Sequence, residues 1–308
     1  MVHKLLLLTR ENQHYQTLLQ QLALPELTLL DDSPTAIREA DIWLAEPALA
    51  APLLPLAAKL QWLQSTFAGV DKLLTPKSRQ DYQLTNIKGI FGPLMSEYVF
   101  GYLLAHCRQQ QRYRQQQQQA LWSPGEYNSL QGKQMLLLGT GSIGCHIATT
   151  AQHFGMKTIG LNRSGKSIMP FAQIITESQL TLALAAADVV VNTLPASAAT
   201  TEILNRERLN CLKQRALLFN VGRGNAIDLE ALSELLLSRP DITAILDVFP
   251  QEPLPANHRL WQQTNAFITP HISAPSFPTQ VVEIFADNYQ RWRQHHSLKY
   301  LVDFSRGY

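Results

Sequence analysis

Short apolar runs alternate with segments of helical periodicity along most of the chain. In the first hundred residues, the runs predicted as strands are Lys4–Leu8, Thr28–Leu30, Asp41–Ala45 and Leu60–Gln64. Helical spacing predicts a helix at Asn12–Gln21 and another around Ala51–Lys59. Strands that alternate with helices are typical of a small α/β unit.

A long helix is predicted from Ser96 to Gln119. Its apolar residues Val99, Phe100, Leu103 and Leu104 keep helical spacing. The end of the helix is rich in glutamine, which favours a solvated surface. A linker at Leu121–Asn128 follows.

From Gly132 onwards the pattern becomes a regular repetition of strand and helix. The predicted strands are Gln134–Leu138, Thr158–Leu161, Val189–Leu194, Ala216–Val221, Thr243–Val248 and Ala266–Ile268. The helices predicted between them are Ile143–Phe154, Gln179–Ala186, Arg206–Leu212 and Leu229–Leu237. This repetition predicts a doubly wound parallel sheet, the Rossmann architecture.

A last helix is predicted at about Thr279–Gln294, with Val281, Phe285 and Tyr289 on one face. We expect it to return to the first domain. The predicted organisation is therefore a discontinuous substrate domain, residues 1–95 with 276–308, and a dinucleotide-binding domain, residues 96–275.

Composition and charge exclude several classes of function. The chain has 308 residues, 45% of them hydrophobic, with 26 basic and 24 acidic residues and a net charge of +2. This balance gives no reason to expect binding to nucleic acid or to a membrane surface. The three cysteines have no metal-ligand or disulfide spacing, so reduced thiols and a cytoplasmic location are expected, with no metal site. No apolar stretch is long enough for a transmembrane helix, and the leucines at the start are too few for a signal peptide.

Polar motifs follow the last three predicted strands of the second domain. They carry Arg223, Glu252 and His271. Ligands of an open parallel sheet bind in the crevice beyond the carboxyl ends of the strands, so we expect these side chains to face one crevice. A cation, an acid and an imidazole are the groups that a dehydrogenase of 2-hydroxy acids needs.

A glycine-rich loop, Gly139-Thr-Gly-Ser-Ile-Gly144, follows the strand Gln134–Leu138 and opens a helix. In this context the spacing predicts a dinucleotide site. The first glycine permits the turn, the second lets the backbone approach the pyrophosphate, and the third lets the helix pack on the strand. The amides and the dipole of the helix N-terminus favour phosphate charge.

The end of the next strand, Thr158–Leu161, bears on the choice of cofactor. Asn162, Arg163 and Ser164 stand where a site for NAD usually has a carboxylate that holds the ribose 2′-hydroxyl. A guanidinium attracts a 2′-phosphate, which a carboxylate would repel. The sequence therefore favours NADP(H) over NAD(H).

Taken together, the motifs resemble the D-isomer-specific 2-hydroxyacid dehydrogenase family. The resemblance rests on the glycine-rich loop, Asn220-Val-Gly-Arg-Gly224, Asp247-Val-Phe-Pro-Gln-Glu-Pro-Leu254 and Thr269-Pro-His271, and it covers essentially the whole chain. The ending Val302–Tyr308 and the Arg163-Ser164 pair are most similar to the glyoxylate/hydroxypyruvate reductase A branch.

The resemblance implies roles for individual residues. His271 would be the general acid, Glu252 would fix its tautomer and favour the imidazolium, and Arg223 would bind and polarise the substrate. The substrate-binding residues implied are Phe67, Ala68, Gly69 and Arg223. The cofactor-binding residues implied are Gly139, Gly141, Ser142, Ile143, Gly144, Asn162, Arg163, Ser164, Leu194, Pro195, Val221, Gly222 and Asp247. The expected substrates are small 2-oxo acids, with glyoxylate and hydroxypyruvate first.

The resemblance also implies a homodimer, paired through the long helix and the arm Ala120–Tyr127. In some relatives a tryptophan of this arm reaches the partner's active site, and Trp122 is the candidate here, although packing within its own chain is an equal alternative. The segment Ala274–Pro278 contains two prolines and departs from the family pattern, which implies a stiffer and altered wall of the substrate pocket.

Other functions stay open. A dinucleotide-sensing scaffold of the corepressor kind is one alternative, and an enzyme like phosphoglycerate dehydrogenase is another. A formate dehydrogenase is disfavoured because such relatives have glutamine at the position of Glu252.

Overall fold

The computed structural model describes residues 2–31, 33–75, 78–126 and 128–305. The chain forms two compact units, Met1–Ile90 with Ser276–Tyr308, and Phe91–Pro275. The strands of the first unit are β1 (His3–Leu8), β2 (Leu27–Leu29), β3 (Ile42–Ala45), β4 (Trp62–Ser65) and β5 (Gln83–Thr85). The strands of the second are β6 (Gln134–Leu138), β7 (Lys157–Leu161), β8 (Gln173–Ile175), β9 (Val189–Asn192), β10 (Leu217–Asn220), β11 (Thr243–Leu246) and β12 (Ala266–Ile268). The α-helices are α1 (Asn12–Leu22), α2 (Pro34–Glu39), α3 (Pro47–Ala50), α4 (Phe91–Cys107), α5 (Gln110–Gln118), α6 (Ser142–His153), α7 (Leu180–Ala186), α8 (Arg206–Asn210), α9 (Leu229–Ser238) and α10 (Pro278–Arg293).

The first unit is built on a five-stranded parallel sheet in the order β2-β1-β3-β4-β5. This is the flavodoxin-like order of a doubly wound sheet. The helix α10, from the end of the chain, belongs to this unit: its Phe285 ring stacks on Trp62 of β4 at a centroid distance of 5.2 Å. Both side chains are fully buried, and burial of aromatic surface of this size contributes strongly to the core.

The second unit is built on a seven-stranded parallel sheet in the order β12-β11-β10-β9-β6-β7-β8. Both faces of this sheet are covered. On β9, Val189 and Val191 pack into the core on one face, and Val190 packs into the core on the other. Burial on both faces explains why this strand is a continuous apolar run rather than an alternating one. The two parallel sheets confirm the predicted α/β class with a Rossmann-type domain.

Two predicted helices are wrong. The stretch around Ala51–Lys59 forms no α-helix; α3 ends before it, and only a short 3₁₀ turn, Leu54–Leu56, lies within it. Pro52 and Pro55 explain this, because proline lacks the amide donor of a helix interior. The single helix predicted from Ser96 to Gln119 is two helices, and α4 begins at Phe91. Gln109 separates α4 from α5 with a φ of 52°, in the left-handed region.

Other elements were missed, namely α2, β5 and β8, which are short. The arm and the ending of the chain lie partly outside the described residues, at Tyr127 and at residues 306–308.

Candidate active site

The carboxyl ends of the strands in the second unit form one aligned edge. Across neighbouring strands, Ile268 pairs with Leu246, Leu246 with Asn220, and Asn220 with Asn192. On the other side of β9, Asn192 pairs with Leu138 and Leu138 with Leu161. Each of these residues is the last of its strand. The loops that carry the predicted site residues of this unit therefore leave the sheet along the same edge.

His271 and Glu252 form a hydrogen-bonded pair at this edge. His271 Nδ1 lies 2.9 Å from Glu252 Oε2, and the other carboxylate oxygen of Glu252 accepts the Phe249 amide at 2.9 Å. An ionised carboxylate only accepts hydrogen bonds. The Nδ1 nitrogen therefore carries a proton and is the donor of the hydrogen bond to Glu252. Nε2 is then the nitrogen that can give up or take a proton. The histidine side chain is 53% exposed, so it is open to a ligand.

The loop that carries His271 is held by Asp247, the first residue after β11. One carboxylate oxygen of Asp247 accepts the Thr269 hydroxyl at 2.6 Å and the Ile272 amide at 2.8 Å, and the other accepts the Ser273 amide at 3.0 Å. The His271 amide donates to the main-chain oxygen of Asp247 at 2.9 Å. His271 has a φ of 55°, in the left-handed region. Residues other than glycine rarely adopt this backbone conformation because it is strained. These bonds hold the strained loop in place.

Arg223 lies in the loop after β10, and β10 is the neighbour of β11 in the sheet. Its guanidinium Nη1 donates to the Gly222 carbonyl at 2.8 Å, and its own carbonyl accepts Asn220 Nδ2 at 3.2 Å. Gly224 follows it, and a Cβ there would lie 1.9 Å from the Phe249 carbonyl carbon. The loop of Arg223 therefore packs directly against the loop that leads to Glu252, and only glycine permits this approach.

The glycine-rich loop after β6 has the geometry of a phosphate cradle. Gly139 has a φ of 110°, and a Cβ on Gly144 would lie 2.2 Å from the Gly139 carbonyl oxygen. Apart from its two neighbours in the chain, a Cβ on Gly141, the N-cap of α6, would meet no atom within 4 Å. Gly139 permits the turn, and Gly144 permits the close contact between the helix and the loop. Gly141 leaves open space in front of the N-terminus of α6, which begins with Ser142 and Ile143. These residues fit a dinucleotide pyrophosphate.

The loop after β7 is organised around the side chain of Asn162. Its amide oxygen accepts the Gly165 amide at 2.7 Å and the Ser164 hydroxyl at 3.2 Å. Its amide nitrogen donates to the Thr140 hydroxyl at 3.3 Å and the Lys166 carbonyl at 3.2 Å. Asn162 therefore joins this loop to the glycine-rich loop, and it leaves Arg163 and Ser164 at an exposed turn.

The remaining predicted cofactor residues line the neighbouring strand ends. The Leu194 amide, just before Pro195, donates to the Asn192 side chain at 3.1 Å. A Cβ on Gly222 would lie 2.7 Å from the Leu194 carbonyl oxygen, so the loops after β9 and β10 meet at this glycine. Val221 is buried in the core.

The loop after β4 belongs to the first unit and contains Phe67, Ala68 and Gly69. The carbonyl of Phe67 accepts the Ile87 amide at 3.2 Å, and the carbonyl of Ala68 accepts Asn86 Nδ2 at 2.8 Å. Among the described residues, none accepts a hydrogen bond from the amides of Ala68 and Gly69. The loop is thus held by its carbonyls, and these amides are free to donate.

Comparison with known proteins places this geometry in a family. Residues 100–273 match the profile of the D-isomer specific 2-hydroxyacid dehydrogenase, NAD binding domain. A crystal structure of a D-isomer specific 2-hydroxyacid dehydrogenase family protein from Aeromonas salmonicida is 50% identical, with a TM-score of 0.94, over 99% of this chain and 100% of that one. The chain belongs to the D-isomer specific 2-hydroxyacid dehydrogenase family. It is an NAD(P)-dependent oxidoreductase of that family, and the predicted family and enzyme class are confirmed.

Two further relatives of this 2-hydroxyacid dehydrogenase have more specific names. A glyoxylate/hydroxypyruvate reductase A from Yersinia enterocolitica is 30% identical over 214 residues, which cover 70% of this chain and 68% of that protein. The crystal structure of an NADPH-dependent glyoxylate/hydroxypyruvate reductase from Sinorhizobium meliloti, in complex with NADP and sulfate, is 25% identical. It matches with a TM-score of 0.89 over 99% of this chain and 100% of that one.

The sequence did not indicate every residue that shapes the candidate site. Tyr98 of α4 forms a hydrogen bond with Thr269 at 2.7 Å, and Thr269 donates to Asp247. The sequence pointed to Thr269 only as part of a motif, and it gave Tyr98 no role in the site. In the described ranges, no group of three His, Cys, Asp or Glu residues could hold a metal ion, and no described helix is both long and apolar enough to cross a bilayer.

Proposed function

We propose that this dehydrogenase reduces small 2-oxo acids to 2-hydroxy acids with NADPH, and that glyoxylate and hydroxypyruvate are its preferred substrates. The observation that carries this proposal is the hydrogen bond between His271 Nδ1 and Glu252 at the carboxyl edge of the sheet. This bond leaves Nε2 as the nitrogen for proton transfer. The loop of Arg223 packs against the same stretch of chain, which brings a fixed cation to this edge.

His271 serves as the general acid of the reduction. When the imidazole is protonated, Nε2–H donates its proton to the oxygen of the substrate carbonyl as that oxygen gains charge. Glu252 accepts a hydrogen bond from Nδ1, which keeps a proton on that nitrogen and fixes the orientation of the ring. In the reverse reaction the neutral ring, with its proton on Nδ1, takes the hydroxyl proton at Nε2.

Arg223 binds the substrate by its carboxylate or its carbonyl oxygen. A guanidinium offers several donors in a planar arrangement that matches a carboxylate. Its charge also stabilises the negative charge that develops on the carbonyl oxygen. Arg223 is therefore expected to contribute both to substrate affinity and to the rate of reduction.

The nicotinamide of the bound dinucleotide supplies the hydride. Gly139, Gly141 and Gly144 would hold its pyrophosphate. The adenosine ribose would lie at the loop of Asn162, where Arg163 and Ser164 would bind a 2′-phosphate. The relative from Sinorhizobium meliloti, which was crystallised with NADP, supports this preference.

The substrate role of Phe67, Ala68 and Gly69 is a prediction from the resemblance. The amides of Ala68 and Gly69, which no described residue accepts, are suited to a carboxylate. A phosphate ester would favour a further cation in the pocket, and the motifs supply only Arg223. We therefore expect phosphohydroxypyruvate to be a poor substrate.

The substrate proposal is tested by kcat/KM with NADPH across glyoxylate, hydroxypyruvate, pyruvate, phenylpyruvate and phosphohydroxypyruvate. We expect the highest values for the first two. A highest value for phosphohydroxypyruvate would contradict the proposal and favour an enzyme like phosphoglycerate dehydrogenase. No turnover of any of these acids would favour a dinucleotide-sensing scaffold, and calorimetric titration with NADPH would then still report the dinucleotide site.

The cofactor proposal is tested by Arg163→Ala. We expect a higher KM for NADPH and a nearly unchanged KM for NADH, because only NADPH carries the 2′-phosphate. Arg38→Ala, at an exposed position of α2, is the matched control. An equal loss with both cofactors would mean that Arg163 has a structural role.

The assembly and the location are also proposals. We propose a homodimer that pairs through α4, α5 and the arm that follows, and a cytoplasmic location. The three cysteines, which are free thiols, are consistent with a reducing compartment.

A further inference from the structure

A hydrogen-bonded chain connects helix α4 to the loop of His271. The Tyr98 hydroxyl lies 2.7 Å from the Thr269 hydroxyl, and Thr269 donates to Asp247 at 2.6 Å. Asp247 in turn accepts the amides of Ile272 and Ser273, the two residues after His271. The chain therefore begins at a helix, passes through Thr269 before the proposed general acid and ends at the two residues after it.

The direction of the hydrogen bonds in this chain is fixed. A threonine hydroxyl has one proton, and an ionised carboxylate can only accept. Thr269 must give its proton to Asp247, so the bond between Tyr98 and Thr269 must use the proton of the phenol. Tyr98 is thus the donor at the start of the chain.

The surroundings of Tyr98 keep this donor in place. Its ring lies 5.0 Å from the ring of Tyr102, which lies 6.0 Å from Phe267 of β12. Burial raises the pKa of the Tyr98 phenol well above its usual value, so the phenol keeps its proton at any ordinary working pH. Thr269 is 8% exposed, so water has little access to replace the phenol as donor.

We propose that Tyr98 is a positioning residue of the dehydrogenase, which orients the Thr269 hydroxyl toward Asp247 and thereby holds His271 in its left-handed conformation. Successive hydrogen bonds polarise one another, so the phenol strengthens the bond from Thr269 to Asp247. A firmer bond at Asp247 keeps the amides of Ile272 and Ser273 in place. The consequence for reduction rests on the function of His271 proposed above.

The kinetic test compares Tyr98→Phe with Tyr102→Phe. Tyr102 is on the same helix, and its hydroxyl makes no hydrogen bond to any other described residue, so it is a matched control. We expect Tyr98→Phe to lower kcat for glyoxylate roughly three- to ten-fold, with KM for NADPH changed less than about two-fold. Tyr102→Phe should keep the kcat of the wild type. A wild-type kcat in Tyr98→Phe would overturn the inference.

A double-mutant cycle separates a chain of bonds from a general effect on packing. Thr269→Val removes the hydroxyl through which Tyr98 acts, so adding Tyr98→Phe should lower kcat no further. Thr269→Ser keeps the hydroxyl, and there Tyr98→Phe should still lower kcat. A full additional loss in the Thr269→Val background would overturn the inference.

Amide hydrogen exchange gives a readout that does not depend on activity. In Tyr98→Phe the amides of Ile272 and Ser273 should exchange several-fold faster than in the wild type, and in Tyr102→Phe they should not. If the wild type reduces no 2-oxo acid, the proposed function fails, and the exchange rates still decide the role of Tyr98. Unchanged exchange in Tyr98→Phe would overturn that role.

Discussion

The loop of His271 and the arm after α5 both contain a residue other than glycine in the left-handed region, yet they are held in different ways. His271 has a φ of 55° and Ala120 a φ of 52°. The His271 loop is tied to the buried carboxylate of Asp247 and, through Thr269, to helix α4. Among the described residues, the hydrogen bonds of the arm go to α5, which buries none of its side chains, and to Gln109 just before that helix. In the arm, Leu121 is 52% exposed and Trp122 is 97% exposed.

Hydrogen bonds within the chain hold the first region, whereas the tryptophan of the second region is left in solvent. A strained residue is kept in place only when its surroundings over-determine it, and Asp247 does this for His271. A large aromatic side chain that its own chain leaves in solvent is typical of a contact surface. The first region should therefore respond to substitution in activity and stability, and the second in association.

The largest effect is expected from His271→Gln. Loss of a positioned acid should lower kcat by roughly 10²–10⁴-fold, while the melting temperature changes little because the ring is half exposed. His153→Gln, at the exposed end of α6, is the control and should keep the wild-type kcat. If His271→Gln reduced glyoxylate at the rate of the wild type, the general acid would have to be another group.

A smaller effect is expected from Asp247→Asn, which should lower both the free energy of unfolding and kcat. The asparagine Nδ2 would be a donor beside the amide of either Ser273 or Ile272, so at least one buried hydrogen bond is lost. We expect the free energy of unfolding to fall by about 1–3 kcal/mol, measured by urea denaturation, and kcat to fall with it.

The same chemical change at Asp228 is the control for this prediction. Asp228 is the N-cap of α9 and accepts the Ala231 amide, and asparagine caps a helix about as well as aspartate does. Asp228→Asn should therefore be nearly neutral. Equal stability of Asp247→Asn and the wild type would mean that Asp247 does not hold the His271 loop.

A loss of rate is expected from Glu252→Gln. The carboxylate of Glu252 accepts a hydrogen bond from Nδ1 of His271 and so fixes the tautomer that leaves Nε2 for proton transfer. A glutamine amide can turn either its oxygen or its nitrogen toward the ring, so it no longer fixes that tautomer. We expect kcat for glyoxylate to fall, by less than in His271→Gln, whereas Glu283→Gln, at an exposed position of α10, should keep the kcat of the wild type. A wild-type kcat in Glu252→Gln would contradict the pairing.

The sequence predicted the sheet of the second unit well, because its strands are buried on both faces and form continuous apolar runs. It failed where local signals were weak or were overlooked. The missed strands β5 and β8 have three residues each, too few for a periodicity. The missed helix α2 did have a signal: Ser33 caps it by accepting the Ala36 amide, and Pro34 is its first residue. The break at Gln109 had none, because glutamine favours a helix throughout that run.

In the candidate site, too, some residues could be predicted from the sequence and some contacts could not. Motifs along the chain suggested Arg223, Glu252 and His271, since each follows a strand whose end could be placed. The bond between Tyr98 and Thr269 joins residues 171 positions apart, and nothing in a local pattern predicts such a contact. The use of both Asp247 oxygens by the His271 loop was also not predictable, because it depends on how that loop turns back over β11. Whether Asp247 also binds the cofactor, as the resemblance implies, stays a prediction.

The smallest effect on the chain itself is expected in the arm, from Trp122→Ala. A side chain that is 97% exposed has little to lose within its own chain, so the free energy of unfolding of the monomer should change by less than about 0.5 kcal/mol. Association should weaken, because a tryptophan at the centre of an interface often contributes strongly to binding. Sedimentation equilibrium over a range of concentrations measures this, with Leu182→Ala, at a residue 78% exposed on α7, as the control.

A lower kcat in Trp122→Ala that recovers at high protein concentration would indicate that the arm also serves the partner's site. A wild-type chain that sediments only as a 34.6 kDa monomer at micromolar concentration would rule out the dimer and leave the exposed arm without a partner copy.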